Sequence, residues 1–138
     1  MATLEKAIEI AAQVHEKQVD KAGEVYILHP LRLMLKMDTP LKMIVAVLHD
    51  VVEDSALNLE DLKAKGFSDT VLSSIDCLSR RPGEDYQKFI ERVALNDTAR
   101  EVKIADLEDN MNLQRLKKLD EKGLKRLEKY HKAWLRLR

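Results

Sequence analysis

Ile44-Val45-Ala46-Val47-Leu48-His49-Asp50-Val51-Val52-Glu53-Asp54 passes from an unbroken apolar stretch into four ionisable side chains with no glycine or proline between them. Upstream, Thr39 suits an N-cap and Pro40 the first helical position, where a missing N–H costs nothing. The spacing of Met43, Ile44, Val47, Leu48 and Val51 then predicts one continuous third helix. A helix that is apolar on all sides belongs in a core, so the ionisable groups at its end face the interior of the protein. On helical geometry His49 and Glu53 share a face, as do Asp50 and Asp54, and Asp50 neighbours Glu53.

Outside this segment only four Gly and three Pro punctuate the chain, and the intervals show three-to-four spacing of apolar residues. An all-α bundle of about seven or eight helices is expected. A first helix is predicted over 3–18, with His15 near its inner edge, followed by a loop over 19–29. A second helix opens at Pro30 and runs to Met37. Asn58 with Asp61 opens a short helix before Gly66, and Ser68 opens another ending at Leu78. Arg80-Arg81-Pro82-Gly83 breaks the chain before helices at 85–95 and 98–116. Gly123 ends a turn or interrupts the last helix.

The 138 residues are read as a single domain, 1–138, long enough to bury a core without disulfides. The lone Cys77 cannot form an internal bridge, suits a reducing compartment and reads as a small core residue. No apolar run approaches the roughly 18 residues of a membrane span, and Glu5, Lys6 and Glu9 interrupt any signal-like start. A cytoplasmic protein is expected, with no membrane partner. A net charge of zero hides an asymmetry: from Gln114 to Arg138 ten Lys and Arg oppose three acids, a charge of +7 against −7 elsewhere. Leu124, Leu127, Trp134 and Leu137 read as a buried stripe, leaving the basic face to solvent. With aromatic content at 4% there is little to stack on single strands, so no nucleic-acid partner is expected. Met34, Met37 and Met43 read as core filler, His131 as a surface residue, and Arg80 and Arg81 as solvated loop charges.

Chemistry is expected where the third helix ends. Adjacent His and Asp splay by about 100° on a helix, so His49 and Asp50 meet a common ion only with ligands from elsewhere. His29, before Pro30 and held extended by it, is one source. Asp106, in the largely apolar Val102-Lys103-Ile104-Ala105-Asp106, is another, with Asn110 one turn on. An ordinary charged helix end, with Asp106 paired to Lys103, is the plainer reading. Burying carboxylates beside imidazoles costs several kcal/mol unless a cation or hydrogen bonds compensate. A mixed His and Asp set without thiolate suits a six-coordinate first-row ion such as Mn²⁺ or Fe²⁺ with open water positions.

The ordered set Gly23-Glu24-Val25-Tyr26-Ile27-Leu28-His29-Pro30, Val47-Leu48-His49-Asp50-Val51-Val52-Glu53-Asp54 and Val102-Lys103-Ile104-Ala105-Asp106 with Asn110 resembles the hydrolase domain of the RelA/SpoT alarmone proteins. These form a branch of the HD-domain metal-dependent phosphohydrolases. With no synthetase segment, the chain is similar to the small, hydrolase-only members. The resemblance implies an HD-type bundle with His29, His49, Asp50 and Asp106 as ligands, principally of Mn²⁺, and Glu53 and Asp54 as the pair that orients and deprotonates water. It implies a nucleotide substrate, guanosine tetra- or pentaphosphate, cleaved to pyrophosphate and GDP or GTP. Asn110, Lys21 and Tyr130 would contact it, Tyr130 being equally placed for core packing. One departure stands out: where the family usually has Arg-Lys before Gly-Glu, this chain has Asp20-Lys21-Ala22-Gly23. An acid cannot supply cation–π stacking on a purine. Another nucleotide or phosphorylated metabolite, and a non-catalytic nucleotide sensor, stay open, as does a homo-oligomer.

Overall fold

Thr3, Thr39, Asn58, Ser68, Asp85, Asn96 and Asp120 each accept a hydrogen bond from the backbone N–H three residues on. Such caps contribute about 1 kcal/mol apiece, and those at Thr39, Asn58, Ser68 and Asn96 are the ones the sequence predicts. The structure, a computed structural model, describes residues 1–138. In chain order the helices are α1 (Leu4–Val14), α2 (Leu28–Leu35), α3 (Pro40–Leu48), α4 (Val51–Asp54), α5 (Leu59–Ala64), α6 (Asp69–Leu78), α7 (Tyr86–Ala94), α8 (Asp97–Asn110) and α9 (Glu121–Leu137), with a 3-10 turn at Leu113–Arg115. The all-α expectation holds. None of the helices is long and apolar enough to cross a membrane.

Helix α3 is the axis of the bundle. Val45, Ala46, Val47 and Leu48 are fully buried, and α1, α2, α6 and α8 pack around them. One cluster of buried apolar residues runs from Ala7 on α1 to Leu137 on α9, so all nine helices share a core. Cys77 packs against it, half-buried, as does Met43, while Met34 and Met37 lie inside it.

Several predicted boundaries move. The third helix is two: it stops at Leu48, and α4 begins only at Val51. The first helix stops at Val14, with His15 as a buried cap. Residues 15–27 then form a loop in which Lys17 and Gly23 take positive φ and Val19 pairs with Val25 in an isolated antiparallel bridge. Helix α2 starts at Leu28, so His29 is helical and not extended. Pro30 falls within the first turn, where its missing N–H has no intrahelical partner to lose. Helix α8 ends at Asn110 instead of 116. On α9 the inward residues are Gly123, Ala133 and Leu137, with Leu127, Tyr130 and Trp134 half-buried, whereas Leu124 is 53% exposed. His131 is exposed and stacks on Trp134.

Candidate metal centre

The break between α3 and α4 brings His49 and Asp50 to one point. His49 caps α3 and Asp50 sits at φ −103°, ψ 0° before α4, so their side chains no longer splay as on a continuous helix. His49 Nε2 lies 3.0 Å from Asp50 Oδ2. Across the bundle, α2 and α8 pack on each other and supply His29 and Asp106, with His29 Nε2 2.8 Å from Asp106 Oδ1. The same oxygen is 3.7 Å from His49 Nε2. Ligand atoms of His29, His49 and Asp50 fall within 4.8 Å of one another, with Asp106 Oδ1 against both imidazoles.

The hydrogen bonds on the far sides of the rings decide what the near sides can do. His49 Nδ1 is 2.7 Å from the carbonyl oxygen of Ala46. A carbonyl only accepts, so Nδ1 carries the proton. His29 Nδ1 is 2.6 Å from Asp109 Oδ2, a carboxylate that also receives Arg32 and Arg115, so here too Nδ1 donates. Each neutral ring then aims an Nε2 lone pair at carboxylate oxygens, which is repulsive. His49 Nε2 is buried and without a hydrogen-bond partner even though Asp50 Oδ2 is close. Two nitrogens and two carboxylates converging in this way fit a first-row divalent cation with borderline nitrogen and hard oxygen donors. The N–H···O bonds behind the rings are the support that metal-bound histidines normally have.

Without a cation, protons do the compensating. Burial pulls the His49 imidazole down, but Asp50 and Asp106 override it and hold the ring well above its ordinary value. His29 is raised in the same way, with burial opposed by Asp106 and Asp109. Burial pushes the Asp106 carboxyl up, and Lys103 with the two imidazoles hold it far below the usual range; Asp50 is lowered to about 2 against burial by His49. Cation binding is therefore expected to release protons, and affinity for Mn²⁺ to rise as pH climbs above the ordinary imidazole range and through the raised values of the two rings. Calorimetry in buffers of different ionisation enthalpy measures both. The sign for the ion-free protein is opposite: the raised imidazoles stabilise it below their unfolded value, and that contribution is lost as pH climbs through the folded one.

Around the cluster lies a cavity of about 470 Å³ to which His29, Asp50, Asp106, Lys21, Asn110 and Tyr130 all contribute. Asn110 Nδ2 donates to Asp106 Oδ1 at 3.2 Å. Lys21, Arg115, Lys118 and Arg126 give the cavity a cationic wall, and burial together with Arg126, Lys129 and Lys122 lowers the Lys21 pKa. The basic face of α9 thus borders a pocket rather than standing only in solvent. Glu53 and Asp54 do not line it. Glu53 Oε1 accepts the Arg80 N–H at 2.6 Å and borders a second cavity beside Arg80 and Arg81. Asp54 Oδ2 accepts from Gln18 Nε2 at 3.1 Å, and Gln18 Oε1 in turn receives His15 Nδ1 at 2.8 Å. Arg80 and Arg81 are not merely solvated, since their guanidinium groups donate to the carbonyl oxygens of Glu84, Asp76 and Ser79.

Sequence reasoning does not find Tyr26, whose hydroxyl donates to Asp50 Oδ2, nor Asp109, Arg32 and Arg115 behind His29. A signal for Asp109 exists: Val102, Ala105, Asp106 and Asp109 follow the spacing of one helix face, and all four are buried.

No family model matches the chain. Among characterised proteins it is 31% identical over 136 residues to a GTP pyrophosphokinase of Streptomyces coelicolor, covering 88% of this chain and 16% of that protein. It is 31% identical over 121 residues to a guanosine-3′,5′-bis(diphosphate) 3′-pyrophosphohydrolase of Aquifex aeolicus, covering 78% and 17%. The chain therefore spans only about a sixth of the length of these relatives. A solved structure of a metazoan ortholog of SpoT that hydrolyses ppGpp has the same fold, with a TM-score of 0.79 at 22% identity over 99% of this chain and 85% of that one. With the order and spacing of the histidines and acids described above, these likenesses show that the chain belongs to the RelA/SpoT hydrolase (HD) domain family.

Proposed function

We propose that residues 1–138 form one metal-dependent phosphohydrolase domain that removes the 3′-diphosphate of guanosine tetra- or pentaphosphate in the cytoplasm. The observation that carries this reading is the convergence of His29, His49 and Asp50, with Asp106 Oδ1 beside both rings, so that each Nε2 faces carboxylate oxygen while each Nδ1 is hydrogen-bonded behind. We assign these four as ligands of one divalent ion, Mn²⁺ in first place and Fe²⁺ as the alternative. Such an ion, when bound, polarises phosphoryl oxygens and acidifies water. Tyr26 and Asn110 hold Asp50 and Asp106 in place. Lys21 and the other cations of the cavity wall bind substrate phosphates, and Tyr130 and Asn110 border the nucleoside. Glu53 takes the proton of the attacking water and Asp54, held by Gln18, helps orient it. Burial, followed by Asp50 and Asp54, lifts the Glu53 carboxyl, with the Arg80 N–H opposing, which suits proton transfer near neutral pH.

Product analysis on Mn²⁺-loaded protein offered guanosine tetraphosphate tests this. Pyrophosphate is the expected product; orthophosphate, or no turnover, would refute the assignment. A second reading, the same chemistry on another phosphorylated nucleotide, is favoured by one observation: Asp20 is bound to Arg115 and to backbone N–H groups and offers a purine no stacking cation. A substrate panel separates the two.

A further inference from the structure

Both carboxylate oxygens of Asp20 are engaged. Its Oδ1 accepts the N–H groups of Ala22 at 2.9 Å and Glu24 at 3.0 Å, closing the loop around Gly23, and its Oδ2 accepts Arg115 Nη2 at 2.7 Å. Arg115 comes from the 3-10 turn after α8. Its other terminal nitrogen, Nη1, donates to the Asp109 carbonyl at 2.8 Å and to Asp109 Oδ2 at 2.9 Å. Asp109 is 5% exposed and also takes Arg32 Nε on Oδ1 at 2.9 Å, Arg32 Nη2 on Oδ2 at 3.0 Å and His29 Nδ1 on Oδ2 at 2.6 Å. A carboxylate accepts about four such bonds in all, so Asp109 is saturated and has one orientation. Two carboxylates, Asp20 and Asp109, are matched by two guanidinium groups, Arg32 and Arg115, so no further charge is needed to hold the network. The cavity-lining loop over 15–27 is thereby joined to the His29 ring by three contacts in series.

We propose that Asp20 and Arg115 are a positioning pair that aims the His29 imidazole through Asp109, so that the loop bordering the cavity helps set the geometry of the metal ligand. This rests on the metal reading above. The planar guanidinium is required because it bridges two carboxylates at fixed angles; an ammonium in its place reaches one of them. Arg32 fixes Asp109 from the other side and makes no hydrogen bond to the loop; Tyr26 packs on the His29 ring directly, 5.7 Å between centroids, and Arg115 is the hydrogen-bonded link from Asp20 to Asp109.

The test is Mn²⁺ affinity of the full chain, read by electron paramagnetic resonance of the free ion, with the visible spectrum of the Co²⁺ form as a report on ligand geometry. Arg115→Met is expected to weaken Mn²⁺ about tenfold or more, as loss of a group supporting a ligand does, and to shift the Co²⁺ bands. Asp20→Asn and Arg115→Lys are expected to weaken it by about twofold or more. Asp20→Asn combined with Arg115→Met is expected to bind no more weakly than Arg115→Met alone, because the asparagine carbonyl keeps the Ala22 and Glu24 N–H bonds and only the bond to Arg115 is removed. Should Arg115→Met not fold, Asp20→Asn and Arg115→Lys decide the matter. Wild-type affinity and an unchanged Co²⁺ spectrum in both would overturn the proposal, as would additive losses in the double variant. A wild-type chain that binds Mn²⁺ without phosphohydrolase activity, with the variants weakened as stated, supports the positioning pair and overturns the proposed function. A wild-type chain that binds no divalent ion overturns both.

Discussion

Asp106→Ala is expected to lose Mn²⁺ binding and turnover together and to destabilise the ion-free protein. The two effects have separate causes. Asp106 Oδ1 faces both imidazoles, and it is the one ligand that the proposed ion would take from α8. Its Oδ2 accepts Lys103 Nζ at 2.8 Å, and the Lys103 side chain is 14% exposed. Burial alone would lower the pKa of that ammonium, and Asp106 first among its neighbours holds it up. Removing one member of such a buried pair costs about 3–5 kcal/mol, because the other is left charged and uncompensated. The Phe89 ring, 5.2 Å from Nζ, offsets part of this. Adding Lys103→Met to Asp106→Ala removes the stranded charge, so the double variant is expected to regain stability in denaturant titration while remaining inactive and metal-free. Turnover or Mn²⁺ binding retained by Asp106→Ala would sink the ligand assignment.

What the sequence makes legible is whatever local chemistry dictates. The caps at Thr39, Ser68 and Asn96 are visible because each must satisfy a helix N-terminus close by in the chain. His29, His49, Asp50 and Asp106 stand out because they interrupt apolar runs, where a lone charge would be costly. The break at His49 is not visible in local propensity. The Ala46 carbonyl, which the Asp50 N–H would take in a continuing helix, receives the His49 ring at 2.7 Å and the His49 N–H at 3.4 Å. Arg115 and Asp20 are 95 residues apart, and nothing local distinguishes either from a solvated charge. The stripe on α9 is misread at Leu124 because the inward position of that turn is Gly123, which has no side chain to register as apolar.

Glu53→Gln is expected to lower kcat by about 10² to 10⁴, the range that general-base catalysis contributes, and to leave Mn²⁺ affinity and thermal midpoint near wild type. The choice of glutamine follows from the geometry. Glu53 Oε1 accepts the Arg80 N–H at 2.6 Å, and a glutamine carbonyl can keep that bond, so the loop after α6 stays tied to α4 while the basic carboxylate is gone. Glu53→Ala removes both and confuses a brace with a base. If Glu53 only braces the loop, glutamine will turn over at the wild-type rate and alanine alone will be slow and less stable. If Glu53 handles the proton, both will be slow, and only alanine will also be destabilised. The carboxyl lies one turn beyond Asp50, borders the neighbouring cavity beside Arg80 and is lifted by burial, so it is a weak base outside the proposed ligand set. Loss of Mn²⁺ from the glutamine variant would therefore overturn the role assigned to Glu53 and make it a fifth ligand instead.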